Sequence, residues 1–185
     1  MKKSGQGIEK INVVIPSYKR WDKLVGKDYF WYAKYVVPVS QKEQYKKALG
    51  GNEGRLICIP DRQDGSIAKK RNWIMRNIKR PVLMIDDDVK CIMMTEGMHN
   101  TGKGHMKATE KIRLTVAQAE RMIINGFNMA SEWGCVMWGI NVNTDGRNYQ
   151  QYRPFSLSQV VLGPFQGRIG QLLTDESKFL AVCSL

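Results

Sequence analysis

The segment "VLMIDDDV", residues 82–89, joins a short apolar run to three consecutive aspartates. An uninterrupted apolar run of this length is typical of a strand that is buried on both faces of a parallel sheet. Three neighbouring carboxylates repel one another, and each resists leaving water. The segment therefore allows two interpretations: an acidic surface turn, or a strand end whose charges are offset by a bound ligand.

The segments that precede the aspartates alternate between strand and helix patterns. The predicted strands are apolar runs at 11–19, 33–40, 55–60 and 81–89. The predicted helices lie between them, at 41–49 and 66–78. Strands that alternate with helices at this spacing indicate βαβ units. The sequence therefore predicts an α/β protein with a Rossmann-like, mostly parallel central sheet flanked by helices.

The segments that follow the aspartates are less regular. Residues 95–111 are polar and rich in glycine, and we predict a mobile loop that could close over a bound nucleotide. A helix is predicted over 114–134, where Thr115 and Gln118 are placed as a capping box. Two further strands are predicted, at 135–143 and 155–163.

The length of 185 residues fits one domain, residues 1–185, with a single core. Hydrophobic residues make up 43% and charged residues 25% of the chain, which is typical of a globular protein. The sequence has neither a signal peptide nor an apolar run of about 20 residues, so we expect a cytoplasmic protein with no membrane partner. The net charge of +12 favours phosphorylated small molecules and polyanions as ligands.

Several common catalytic and metal-binding patterns are missing from the sequence. The cysteines do not form a CxxC pair, and the spacing of His99 and His105 does not fit one helical face. Residues 97–104 approach the GxxxxGK[ST] phosphate-binding motif, but Gly104 stands where the motif needs a hydroxyl. A zinc site, a redox pair and a P-loop are therefore disfavoured.

The aspartates themselves are candidates for a metal site. On a strand, side chains alternate between faces, so Asp86 and Asp88 would point the same way while Asp87 would point away. Oxygen-only ligands suit Mg²⁺ or Mn²⁺, which take part of their shell from substrate phosphates. In open parallel sheets, ligands bind beyond the carboxyl ends of the strands, where these residues fall. We expect Asp87 to serve local structure or an acceptor contact.

An inward-facing arginine supports a ligand in the same region. Arg71 lies on the apolar stripe that Ile67, Ile74 and Ile78 form on the predicted helix, and an inward guanidinium needs an anion. Its partner could be a carboxylate of the aspartate run or a phosphate of a ligand. Ser66 is placed to cap this helix, so the helix start could also face a phosphate.

Three motifs together resemble a known enzyme family. They are "VVIPSYKR" at 13–20, "RN" at 71–72 and "MIDDDV" at 84–89. Their order and spacing resemble glycosyltransferases of the GT-A fold, and most closely the TET-associated glycosyltransferases. Many members of that family are phage-encoded and are thought to add sugars to hydroxymethylated DNA bases, in which case the compartment would be the host cytoplasm.

The resemblance implies a metal-dependent transfer of a sugar from a nucleotide diphosphate sugar to a hydroxyl. A UDP-sugar is the first candidate for the donor, and a hydroxymethylated base in DNA is a candidate acceptor. Asp86 and Asp88 would hold Mn²⁺ or Mg²⁺ as an Asp-X-Asp motif. With Ser66 from the helix start, the nucleotide-sugar-binding residues would be Pro16, Ser17, Tyr18, Arg20, Ser66, Arg71, Asn72, Asp86 and Asp87.

The match is good over about 11–90, the expected nucleotide-sugar half, and loose over about 91–185, the expected lid and acceptor half. Within the latter, "VVLGPFQGRIG" at 160–170 resembles the strand and glycine turn that shape a GT-A acceptor site. The family pattern then calls for a Glu-Asp motif that supplies the catalytic base. Asp175 and Glu176 are the candidates here, although they precede the expected position. Either the base lies elsewhere, or the chain is a shortened version that catalyses poorly.

Two other functions use some of the same features. A sugar nucleotidyltransferase shares the strand-end aspartates but normally has a glycine-rich loop after the first strand, where this chain has none. A nucleic-acid-binding module without catalysis needs a continuous basic and aromatic surface. The residues that could provide that surface are Lys19, Arg20, Trp21, Lys23, Tyr29, Phe30, Trp31 and Tyr32. Aromatic clusters of this kind are more often part of a core. The sequence does not predict an oligomeric state.

Overall fold

The structure is a computed structural model that describes residues 8–100, 106–140, 164–169 and 182–184. Within these residues the chain is a mixed α/β protein with three α-helices. It divides into two compact units, Met1–Lys90 and Cys91–Leu185. No helix in the described ranges has the length and apolar character that a membrane crossing requires.

The first unit is built on a parallel sheet with the strand order β3-β2-β1-β4. The strands are β1 (Asn12–Pro16), β2 (Lys34–Pro38), β3 (Leu56–Ile59) and β4 (Val82–Ile85). The helices are α1 (Lys42–Ala48) and α2 (Ile67–Asn77). These elements confirm the predicted alternation of strands and helices. The strand order is compatible with a Rossmann-like fold, in which the direction of strand addition reverses beside β1.

The sheet of the first unit is buried on both faces because its strands are apolar. On one face, Ile74 of α2 forms a cluster with strand residues Val14, Val36, Ile59, Val82 and Met84. On the other face, Ile15 and Tyr35 are buried, and the ring of Tyr45 from α1 lies 6.3 Å from that of Tyr35. Each buried aliphatic side chain contributes about 1.5–3 kcal/mol to folding. With both faces covered, the carboxyl ends of the strands are the natural place for a polar ligand.

The aspartate run does not continue β4. The strand ends at Ile85, and the backbone N–H of Val89 donates to the carbonyl of Asp86 at 3.2 Å, which closes a turn. The strand predicted over 81–89 is therefore too long at its carboxyl end. Turn residues do not alternate between two faces, so the alternation predicted for the three carboxylates does not apply to this segment.

The second unit begins with an antiparallel hairpin of β5 (Met93–Asn100) and β6 (Met106–Arg113). The prediction of a mobile loop over 95–111 is therefore wrong for the described part of that segment. The two strands follow each other closely in sequence, so backbone pairing forms locally, and the ladder bonds are made whatever the polarity of the side chains. Composition alone misses such a hairpin.

The remaining elements of the second unit are α3 (Val116–Glu132), β7 (Met137–Gly139), β8 (Phe165–Arg168) and β9 (Val182–Ser184). The predicted capping box is confirmed, because the Thr115 hydroxyl and the Gln118 side chain bond each other's backbone N–H groups. β7 pairs antiparallel with β8 and parallel with β9. The strand predicted at 135–143 is confirmed in its described part, whereas 155–163 lies outside the described residues.

The core of the second unit centres on Trp138 of β7, which is fully buried. The rings of Phe127 and Phe165 lie 5.2 Å and 5.8 Å from its ring. A methyl group built on Gly126 of α3 would lie only 2.5 Å from two atoms of that indole. Gly126 is therefore required by the close approach of the indole to the helix.

We predict that Gly126→Ala destabilises the protein by about 1–3 kcal/mol, because overpacking forces a rigid buried ring to shift. In an ordinary helix interior the same change stabilises by about 1 kcal/mol. Urea unfolding measures the difference, and Asn125→Ala at the neighbouring exposed position serves as the control. A Gly126→Ala variant as stable as the wild type would contradict the packing described here.

Candidate functional site

A cavity of about 380 Å³ opens at the carboxyl ends of β1 and β4. Three segments line it: the loop after β1, the segment that leads into α2, and the aspartate turn after β4. This is the position at which the strand order reverses, where α/β sheets of this kind bind their ligands. The nucleotide-sugar-binding residues predicted from the sequence line the cavity, apart from Arg71 and Asn72, and so does Asp88.

A closed ring of hydrogen bonds joins the loop after β1 to the aspartate turn. Ser17 Oγ donates to Asp87 Oδ2 at 2.6 Å, so Tyr45 must supply the hydrogen in the 2.7 Å contact between Tyr45 Oη and Ser17 Oγ. Tyr45 Oη in turn accepts from the backbone N–H of Arg20 at 3.1 Å. Arg20 Nη1 lies 3.2 Å from Asp87 Oδ1, which completes the ring.

The segment around α1 holds the rest of this loop. Lys19 has a backbone φ of 53°, a left-handed conformation that costs a residue with a side chain about 1–3 kcal/mol. Its N–H donates to Oε1 of Gln41, the residue before α1, at 2.8 Å. The ring of Trp21 packs edge-on against that of Tyr45, with 6.0 Å between their centroids. The conformation of the loop is therefore imposed by its neighbours in the fold.

Asp87 is part of the cavity, and the expectation that it points away from Asp86 and Asp88 is wrong. All three aspartates line the same space. The expectation assumed the alternation of a strand, but the residues form a turn. The part of the prediction that gave Asp87 a function in local structure agrees with its bonds to Ser17 and Arg20.

Arg71 is bonded to a carboxylate of the aspartate run, which was one of the two partners considered for it. Arg71 Nη2 donates to Asp86 Oδ1 at 2.6 Å. Burial raises the pKa of the Asp86 carboxyl, and the guanidinium opposes that rise only in part. Asn72, the next residue of α2, is exposed and does not line the cavity. The structure therefore brings Arg71 to the edge of the site through Asp86 and leaves Asn72 away from it.

Lys70 is a cavity residue that the sequence interpretation missed. It is 2% exposed, and its ammonium donates to the carbonyl of Ser17 and lies 3.1 Å from Asp64 Oδ2. Burial lowers the pKa of Lys70, and the Asp64 carboxylate opposes this shift. A signal was present, because Lys70 lies three residues after Ile67 and four before Ile74, on the same apolar stripe.

The charges of the cavity are paired except at one position. Asp64 is paired with Lys70, Asp86 with Arg71 and Asp87 with Arg20. Each pair lies within ion-pair distance. Asp88 is exposed, and among the described residues no cation pairs with it. It is therefore the carboxylate most open to a ligand.

The donor set fits a cation that is shared with a ligand. The described ranges contain no group of three or more side chains that could enclose a metal ion. Mg²⁺ and Mn²⁺ commonly take only one or two carboxylates from the protein and complete their shell with water and substrate phosphates. Asp88, together with the Asp86 oxygen that Arg71 does not hold, would meet that requirement.

The remaining predicted functional residues that the structure describes do not line the cavity. Asp175 and Glu176, the candidate catalytic bases, lie outside the described residues. The 160–170 segment is described over 164–169, where it contains β8 (Phe165–Arg168). The aromatic cluster considered for nucleic-acid binding is divided between core and surface. Tyr29 and Phe30 are buried, whereas Trp31 is 58% exposed.

We predict that Tyr45→Phe lowers the free energy of unfolding by about 1–3 kcal/mol at neutral pH, because Ser17 and the Arg20 N–H lose a buried partner. Burial raises the pKa of Tyr45 above 10.0. The unfolded phenol therefore loses its proton before the folded one, so the advantage of the wild type shrinks as the pH rises past 10.0.

Urea unfolding at neutral pH and above pH 10.0 tests both parts of this prediction. Tyr18→Phe removes a hydroxyl from a side chain that is 51% exposed and serves as the control, with an expected change within about 0.5 kcal/mol. A Tyr45→Phe variant as stable as the control would show that the ring of hydrogen bonds contributes nothing to folding.

Comparisons of the chain with family models, with curated proteins and with solved structures found no match. The resemblance to GT-A glycosyltransferases remains a prediction from three motifs, two of which border the cavity.

Proposed function

We propose that the chain is a metal-dependent glycosyltransferase of the GT-A type, which transfers a sugar from a nucleotide diphosphate sugar to a hydroxyl acceptor. One observation carries this proposal: the loop after β1 and the aspartate turn after β4 line a single cavity at the carboxyl ends of their strands. These are two of the three motifs on which the resemblance rests, and they are about 70 residues apart in the chain.

The loop after β1 offers a surface for the base and ribose of the donor. The ring of Tyr18 lines the cavity and is 51% exposed, so a planar group can stack on it. Arg20 lies beside it and adds hydrogen-bond donors, although Asp87 holds one of its terminal nitrogens. The bonds from Gln41 and Tyr45 hold this loop in one conformation before a ligand binds.

The aspartate turn offers the metal-binding part of the site. Asp86 and Asp88 would hold Mn²⁺ or Mg²⁺, which when bound there would neutralise the diphosphate leaving group. Arg71 fixes one oxygen of Asp86 at 2.6 Å and so orients the carboxylate. Asp87, held by Ser17 and Arg20, keeps the turn in place.

In the proposed reaction, the bond between the sugar carbon and the phosphate oxygen breaks, and its electron pair leaves with the nucleoside diphosphate. The acceptor oxygen forms the new bond to the sugar carbon and gives its proton to a base. Asp175 and Glu176 remain the candidates for that base. A hydroxymethylated base in DNA is the proposed acceptor, and the net charge of +12 is compatible with such a polyanion.

We predict that Asp88→Asn weakens Mn²⁺-dependent binding of a UDP-sugar by at least about 100-fold, because it removes a metal-binding oxygen with its charge. Isothermal titration calorimetry with and without Mn²⁺ measures this loss. The variant should unfold at the same urea concentration as the wild type, because no residue in the described ranges pairs with Asp88.

Glu43→Gln is the matched control, because it removes one negative charge from an exposed position of α1 outside the cavity. Unchanged binding by Asp88→Asn would exclude the metal site proposed for this turn. Release of pyrophosphate from a nucleoside triphosphate in the presence of a sugar phosphate would indicate a nucleotidyltransferase. Salt-sensitive DNA binding that is indifferent to nucleotide sugar and metal would indicate a binding module.

A further inference from the structure

Lys70 is a buried cation in the wall of the cavity. It is 2% exposed, and the groups around its ammonium, namely the Ser17 carbonyl, Asp64 Oδ2 and the Tyr18 ring, all belong to residues that line the cavity. The ammonium therefore lies at the boundary of the cavity and is itself largely shielded from water. An interaction with an anion is stronger there than at an open surface.

The ammonium of Lys70 is not fully used by the protein. It carries three hydrogens, and two oxygen acceptors surround it among the described residues, the Ser17 carbonyl and Asp64 Oδ2. The ring of Tyr18 lies 5.6 Å from Nζ to the centroid, and the Asp87 carboxylate also attracts the ammonium from a greater distance. At least one hydrogen is thus left for a ligand.

Asp64 is held so that it faces this lysine. Its Oδ1 accepts from the backbone N–H of Gly65 at 3.1 Å, and its Oδ2 pairs with Lys70. Gly65 has a φ of 149°, a conformation that favours glycine. The carboxylate balances the buried ammonium when the cavity is empty, and its charge opposes the approach of any other anion.

The start of α2 adds to the positive character of this wall. Ser66 caps the helix by accepting from the N–H of Lys69 at 3.1 Å, and both Ser66 and Ile67 line the cavity. The first turn of a helix carries a partial positive charge on its unpaired N–H groups. The start of α2 therefore adds to the attraction that Lys70 exerts on an anion in the cavity.

We propose that Lys70 is a phosphate-binding residue, which holds a phosphate oxygen of the ligand through an ammonium hydrogen that the protein leaves unused, and that Asp64 limits the affinity for that phosphate. In the proposed glycosyltransferase the group would be a phosphate of the donor, so the biological meaning rests on the proposed function. The contact itself does not depend on a metal, a sugar or a base, and inorganic pyrophosphate can probe it.

Substitutions of Lys70 and Asp64 should have opposite effects on the binding of pyrophosphate in the absence of metal. Lys70→Met should weaken binding by at least about tenfold, because a charged hydrogen bond is lost. Asp64→Asn should strengthen binding by about five- to tenfold, because a negative charge beside the ligand is removed while the shape is kept. If Lys70 only stabilised the fold, Asp64→Asn would not increase the affinity for pyrophosphate.

The experiment is calorimetric titration of pyrophosphate in EDTA, at one fixed salt concentration, on the full chain. Lys69→Met is the matched control, because Lys69 is the exposed neighbouring lysine and does not line the cavity. It should bind as the wild type does, which separates a specific contact from the general effect of a net charge of +12.

The double variant Asp64→Asn with Lys70→Met keeps the test decisive, because Lys70→Met alone leaves Asp64 without its cation and can fail to fold. A folded double variant that binds at least about tenfold more weakly than Asp64→Asn supports the proposal. Equal binding by these two variants overturns it, as does wild-type protein that binds no pyrophosphate.

The proposed function and the proposed phosphate contact can be contradicted independently of each other. If no nucleotide sugar binds in the presence of Mn²⁺ while pyrophosphate binding still depends on Lys70, the phosphate contact stands and the glycosyltransferase does not. If a nucleotide sugar binds equally well to Lys70→Met and to the wild type, the glycosyltransferase stands and the phosphate contact does not.

Discussion

The hydrogen bond from Ser17 Oγ to Asp87 Oδ2 is the contact on which the geometry of the cavity depends. It joins the loop after β1 to the turn after β4, two segments that the chain separates by 70 residues. Tyr45 and Arg20 complete a ring around it, so each donor in the ring has an acceptor. A ring of this kind is stable because each buried polar group is satisfied by the next one.

The pairing of charges explains how the fold tolerates four carboxylates around one cavity. Burying a carboxylate is costly unless a cation or several hydrogen-bond donors accompany it. Lys70, Arg71 and Arg20 each accompany one aspartate, and the fourth, Asp88, keeps its contact with water. The protein thus provides one open carboxylate beside an ordered one, which is the donor set that the proposed metal needs.

Predictions from the sequence succeeded where local pattern decides the outcome. The four apolar runs of the first unit contain strands, and Ser66 and Thr115 cap their helices. They failed where the pairing of strands or the direction of a side chain decides the outcome. The β5–β6 hairpin was missed because its composition is that of a loop, and the buried Lys70 was missed because a lysine on an apolar stripe is ordinarily placed at the surface.

The sequence by itself determined that four apolar strands would alternate with helices and that three aspartates would follow the last of them, because periodicity and capping act over a few residues. It also placed the cavity at the carboxyl end of the sheet, because parallel strands share that edge. The tertiary structure alone decided the partners of the charges. Asp87 bonds to Ser17, Arg71 pairs with Asp86, and Lys70 is buried beside Asp64. These contacts join segments that only the folded sheet brings together.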